Sequence, residues 1–314
     1  MAVTLAADVL ARYRRVTLYN SPYVAHDHGR AVDLYPGDAT HPDPTGGPPV
    51  DAPSPVSGEV LATRTVTAPS QPYAAERDYL ILVDTAVGDG PPLASAGDAG
   101  EGGAPIARIM HVDPSVEAGD SVAVGDSLGS LVRAGFFAPW VANHLHLGFR
   151  AREADPYRAS GSLPLALDPS FRVEPLAWDG TGTVVAAGDT YAVLDSPAHP
   201  APGERFAGLA VGTAGGEPLG VLDGGFPHYD GGGVLGANGP ASDGPVRLLG
   251  TTVGTVSGRD VTWADVTVLA DGRPVGGLAL SLARDGAGAK LVGESVALTV
   301  GESVRVAIRR DGDP

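Results

Sequence analysis

The sequence predicts an all-β protein, and three observations predict it. Glycine and proline are abundant, at 45 and 28 of 314 residues, while aromatics make up 6%. That balance favours many short strands joined by turns over long helices. Apolar residues recur in alternating or β-branched runs of strand length. From about Asp168 such runs alternate with glycine turns at the spacing of a sandwich or small barrel. A chain of this length suits two domains, each able to bury a core. We expect a β-rich domain over residues 1–160 and a second, sandwich or barrel, over 168–314.

In chain order, residues 5–19 begin with helix-compatible sequence and run into a strand carrying Val16 and Leu18. The segment Ser21 to Tyr35 holds His26, His28 and Asp33, followed by a Pro/Gly/Asp-rich loop over 36–49. Val50 to Leu61 reads as a turn and then a strand. Asp78-Tyr79-Leu80-Ile81-Leu82-Val83 is a continuous apolar run suited to a central strand, and 84–103 reads as a loop. Ile106 to Val112 is a further strand with His111 near its end. Two Gly-Asp pairs, Gly119-Asp120 and Gly125-Asp126, mark tight turns between very short strands. In the second half the strand candidates are Thr183–Val185, Tyr191–Leu194, Val261–Trp263, Val266–Leu269, Lys290–Val292, Val296–Val300 and Val304–Ile308. The Gly-rich piece from Leu222 to Gly233, with His228 and Tyr229, reads as a turn beside an aromatic cluster.

The formal net charge is −16, and Lys290 is the only lysine among 21 basic side chains. Such a surface repels nucleic-acid phosphates and anionic lipids, so neither nucleic acid nor membrane is expected as a partner. The acidic, lysine-poor composition also resembles that of proteins from salt-loving, halophilic organisms, where screening makes a large net charge tolerable. There are no cysteines, which excludes disulfides, thiolate zinc sites and a cysteine nucleophile. Any metal must be held by His and Asp or Glu. No apolar run approaches a membrane span, and residues 1–20 lack the order of a signal peptide, so a cytoplasmic location is expected.

The stretch Asn143-His144-Leu145-His146-Leu147-Gly148-Phe149-Arg150 organises the first half. In an extended strand successive side chains alternate faces, so His144 and His146 project from one side and Leu145, Leu147 and Phe149 from the other. Six of the eight histidines precede residue 150. A hydrolytic zinc site needs three protein ligands and one open position for a water whose pKa the metal lowers to about 7. His, Asp and His would suffice. The remaining histidines would steady that water, shuttle its proton or stabilise an oxyanion.

The order of these pieces resembles the lysostaphin-type, LytM-like (duplicated hybrid motif) zinc metallopeptidases over about residues 23–150. The matching pieces are His28-Gly29 with Asp33-Leu34, Ala52-Pro-Ser-Pro-Val56-Ser-Gly58-Glu59-Val60, Tyr79 to Val83, Ile109-Met-His111-Val112, Val116 to Gly129 and His144-Leu-His146-Leu147. The resemblance implies a compact antiparallel β-sheet with the site in a groove across it. It also implies Zn²⁺ held by His28, Asp33 and His146, with His111 and His144 as the catalytic pair and a peptide or peptide-like substrate. His26 competes with His28 as first ligand. Four residues separate His28 from Asp33, so regular pleating would put the two on opposite faces unless a bulge at Gly29 intervenes. Two further classes remain: a catalytically degenerate, peptidase-like binding or scaffold module, and a phosphohistidine carrier.

Overall fold

A computed structural model describes residues 2–37, 48–87, 95–96, 103–213, 215–216, 218–236 and 242–312. The loops expected over 36–49 and 84–103 lie largely outside the described residues. Strands dominate as expected, and among the described residues the only helical pieces are Ala7–Leu10 and a 3-10 turn, Val24–Gly29. The chain divides into two compact units: residues 1–16 with 23–171, and 17–22 with 172–314.

The first unit is built on an antiparallel sheet whose strands run, side by side, Ser121–Val122, Gly58–Val66, Asp78–Asp84, Ile106–Met110, Leu145–Arg150 and Ala31–Tyr35. The apolar run Asp78–Asp84 is central, as its composition requires. Register decides which side chains meet. His146 lies opposite Asp33 on one neighbour and Met110 on the other, while Leu147 lies opposite Val32 and Ile109. Since side chains alternate, one face gathers Leu145, Leu147, Phe149, Val32, Leu34, Ile109, Ile81 and Val83, all 1% exposed or less. Burying each large apolar side chain contributes about 1.5–3 kcal/mol. The opposite face carries Asp33 and His146 and, further along, an apolar cluster of Leu80, Leu82, Ile106 and Met110.

The Gly-Asp pairs form two copies of one turn. Asp120 Oδ2 accepts the Glu117 N–H and Asp126 Oδ2 accepts the Ala123 N–H, each at 2.8 Å. A carboxylate taking a backbone donor locally is why Asp favours such turns. Around them a small antiparallel sheet joins Asp51–Pro53, Ser127–Leu131 and Val112–Pro114.

The second unit contains a six-stranded antiparallel barrel, choosing between the two expected forms. Its ring runs Phe206–Gly212, Pro218–Phe226, Gly231–Leu235, Asp260–Trp263, Thr251–Ser257 and Gly244–Leu248, then back to Phe206–Gly212. Further strands, among them Thr181–Gly188 and Ser303–Arg310, extend around it. The Gly-rich piece read as a turn supplies two barrel strands, Pro218–Phe226 and Gly231–Leu235. Glycine is depleted in strands because it leaves a bare surface. Here rings fill that surface: a Cβ on Gly233 would fall 2.2 Å from a Tyr19 ring carbon, and one on Gly232 equally close to Trp263.

Two expectations change. Residues 296–300, β-branched and apolar, form no strand. The Val296 and Leu298 amides bond Asp189 and Val296 carbonyls, and the Thr299 amide is taken by Glu302 Oε2 at 3.0 Å, so a turn consumes the donors a ladder would need. Residues 17–22, placed with the first domain by the sequence, belong to the second unit. Its fully buried Asp223 accepts the Leu18 N–H at 2.6 Å and the Thr17 hydroxyl, pinning that segment.

Candidate functional site

The 3-10 turn Val24–Gly29 delivers the first candidate ligand. The strand after it begins only at Ala31, so pleat parity does not govern this segment. Asp27 and His28 leave helical geometry, and His28 sits in the left-handed region at φ 57°. That reversal leaves His28 exposed and His26 buried at 4% exposure. His26, rather than the expected His28, therefore stands with Asp33 and His146.

The three donor atoms form a tight triangle. His26 Nε2 is 2.9 Å from His146 Nδ1 and 3.1 Å from Asp33 Oδ1, and His146 Nδ1 is 3.1 Å from that same oxygen. Electron-rich atoms this close need a positive centre among them, a shared proton or a metal cation. A tetrahedral zinc with N and O ligands wants donors roughly 3.3–3.5 Å apart. The triangle would have to open by only a few tenths of an ångström. Among the described residues these three form the group of His, Asp and Glu donors able to share one ion. The donor set, two imidazoles and a carboxylate, suits zinc.

The expected catalytic histidines lie beside it. His144 immediately precedes the strand Leu145–Arg150 that carries His146, and its Nε2 is 3.5 Å from Asp33 Oδ2. His144 Nδ1 lies 2.9 Å from the Ala142 carbonyl. A carbonyl only accepts, so Nδ1 carries the proton and Nε2 of the neutral ring keeps its lone pair toward the site. His111 would alternate onto the core face with Ile109 if its strand continued regularly. Instead it takes φ 69°, a left-handed value costly for a non-glycine residue. That break turns its ring to within 5.5 Å of the His144 ring and 6.0 Å of the His146 ring, centroid to centroid.

Two further contributors carried no expectation. Asp78, fully buried, sits 2.8 Å from His111 Nδ1 through Oδ2 and takes the Tyr79 N–H on Oδ1. Its signal was an acidic residue opening an otherwise apolar central strand. Phe137 stacks on His144 at 4.2 Å and meets His111 edge-on at 4.7 Å. The loop carrying it is fastened by Arg133, whose guanidinium donates to the carbonyls of Val141, Ala138 and Pro139.

Burial sets the protonation states. It pushes His146 down to about 3 and His144 down to about 4, against the opposing pull of Asp33. Burial alone would raise the Asp33 carboxyl. The charges of His26 and His144 and the hydrogen bonds from His146 and His26 outweigh it and hold Asp33 well below the usual carboxylate range. Near neutral pH His146 is therefore a neutral imidazole and Asp33 a carboxylate, the forms that ligate metal.

Two family models match the chain. The N-terminal domain of DUF8155, a domain of unknown function, covers residues 4–167, and its C-terminal domain covers residues 174–309. No curated protein and no solved structure matches. Among the described residues no helix is long and apolar enough to cross a membrane.

Proposed function

The chain belongs to the DUF8155 family, and we propose that its N-terminal domain is a zinc-dependent hydrolase of peptide or peptide-like amide bonds. The observation that carries this reading is the convergence of His26, Asp33 and His146 on one point, with two more imidazoles on the same side of Asp33. The motif order shared with lysostaphin-type metallopeptidases supports it. A turn, not a pleat, presents His26, so the spacing between His28 and Asp33 does not constrain the first ligand.

In this reading His26, Asp33 and His146 would hold the ion, which would supply Lewis-acid polarisation of a water and of the substrate carbonyl. His144, neutral with its Nε2 lone pair exposed to the site, takes the proton from the attacking water and returns it to the leaving amine. Phe137 covers the His144 ring and limits competing water. His111, its Nδ1–H directed to Asp78, presents the Nε2 lone pair toward the site, where it accepts a hydrogen bond from the attacking water and orients it. Asp78 acts through His111, as a positioning residue.

Elemental analysis tests the proposal. Purified protein should contain about one zinc per chain, lost in His26→Ala and His146→Ala and retained in His28→Ala. Protein that is metal-free and takes up no added zinc would sink it.

A further inference from the structure

Beside the metal-ligand candidates lies a buried arginine without an acid. Arg108, 6% exposed, lies on the site face of the sheet, opposite Gly148 and Leu82. Its neighbour on that face, Met110, is the cross-strand partner of His146. The guanidinium leans that way: Nη1 lies 2.8 Å from Met110 Sδ, a weak acceptor, while Nε has no hydrogen-bond partner among the described residues. Among the described residues no carboxylate forms an ion pair with it. Around it the floor is apolar, made by Leu80, Leu82, Ile106 and Met110.

The local charge is not balanced from nearby. Arg150, 1% exposed on the same face, donates among the described residues to neutral acceptors: Ser162 Oγ at 2.7 Å and the carbonyls of Phe149, Arg158 and Ala159. Asp78, the acid whose field reaches Arg108, is already engaged by His111 and the Tyr79 amide. Burial, then the neighbouring Arg150, pulls Arg108 down to about 10, with Asp78 opposing. A desolvated guanidinium facing a thioether is costly to keep, and arginine stays charged at neutral pH. Its planar fork matches a carboxylate in two parallel hydrogen bonds.

We propose that Arg108 anchors a carboxylate of the substrate. The inference rests on the hydrolase reading for the word substrate, but the anion site itself stands on Arg108 alone. Two strand positions separate the Arg108 level from the His146 level, a span of about 7 Å. An extended peptide covers that in about two residues. The carboxylate therefore belongs within one or two residues of the bond held at His26, Asp33 and His146. It is either the chain's free C-terminus or an acidic side chain.

The test reads binding, with zinc-loaded and metal-free protein in parallel. The probes are acetyl-triglycine with a free carboxylate, its C-terminal amide, and acetyl-Gly-Glu-Gly-amide. Calorimetry and the Arg108 Nε–Hε NMR signal are followed, the signal being assigned by its loss in Arg108→Lys. We expect at least one carboxylate-bearing probe to bind and shift that signal, at least tenfold tighter than the neutral amide. Which one binds separates a C-terminal from a side-chain carboxylate. In Arg108→Met the preference should vanish while zinc content and melting temperature are kept or raised, and Arg108→Lys should recover part of it. Equal binding of all three probes, no binding at millimolar concentration, or an undiminished preference in Arg108→Met overturns the proposal. A carboxylate preference in a protein that takes up no zinc leaves Arg108 as an anion anchor and removes the hydrolase reading instead.

Discussion

Asp78 and His111 form a buried carboxylate–imidazole pair, 2.8 Å from Oδ2 to Nδ1, with Asp78 fully shielded from solvent. Asp78 opens the strand Asp78–Asp84, and His111 sits at the bend between Ile106–Met110 and Val112–Pro114, 33 residues apart in sequence. Asp78 accepts from Nδ1 and so fixes which nitrogen of His111 bears the proton.

Replacing Asp78 by Asn should disturb this tautomer. The amide can present its NH₂ to Nδ1 and force the proton onto Nε2, the pattern that disables a catalytic imidazole in other hydrolases. We expect zinc content unchanged, a reversed His111 tautomer in nitrogen NMR, and peptide hydrolysis lowered about 10- to 100-fold, as for other partners of site histidines. An unaltered tautomer together with unaltered turnover would show Asp78 to be structural only.

Gly135 lets the Phe137 loop pass its neighbour. A Cβ there would fall 1.8 Å from the Pro69 carbonyl oxygen, with backbone on both sides. Gly135→Ala should shift the loop, move Phe137 off His144 and cost stability on the order of 1–3 kcal/mol, as overpacking does. Denaturant unfolding and the ring-current shift of the His144 protons check this; a wild-type midpoint with wild-type shifts would refute it.

In the second unit, Asp223→Ala should leave the Leu18 N–H and Thr17 hydroxyl without their buried acceptor. Unsatisfied buried donors cost about 1–3 kcal/mol each. Hydrogen exchange should accelerate at the Leu18 amide, alongside a lower unfolding midpoint. Thr17→Val, which removes one donor, should cost less than Asp223→Ala.

His228 gives the second unit an acid limit. Both ring nitrogens are shut off from solvent, and burial pushes the ring down to about 4, with a backbone bond at Phe226 partly opposing. The folded pKa is below the unfolded value, so between them the unfolded chain binds more protons. Its contribution is then full above about pH 6.5, falls as pH drops toward 4 and is gone below that. At about 1.4 kcal/mol per unit the effect is at most about 3 kcal/mol. Unfolding midpoints of wild type and His228→Phe from pH 7 to 4 should show a shallower acid slope for the variant. Parallel slopes would contradict it.

Local rules read much of this protein correctly from sequence. Alternation puts Leu145, Leu147 and Phe149 in the core and His144 and His146 on the other side, because a strand has only two faces. The Gly-Asp turns follow from a carboxylate capping its own backbone, and the all-β class follows from composition. The barrel strands were less legible, because the rings of Tyr19 and Trp263 that fill Gly233 and Gly232 come from outside their strand.

The stretch 143–150 was thus assigned its faces by sequence, and its partners by tertiary structure. Which histidine completes the triangle depended on whether residues 24–29 form a strand or a turn, and the turn buries His26 while exposing His28. Asp78, Phe137 and Arg108 reach the site face by pairing and packing across the sheet, at distances in sequence that no periodicity encodes. Sequence determines what each residue can do chemically and which way a regular element turns it. Only the closed register of neighbouring strands decides which of those chemistries meet.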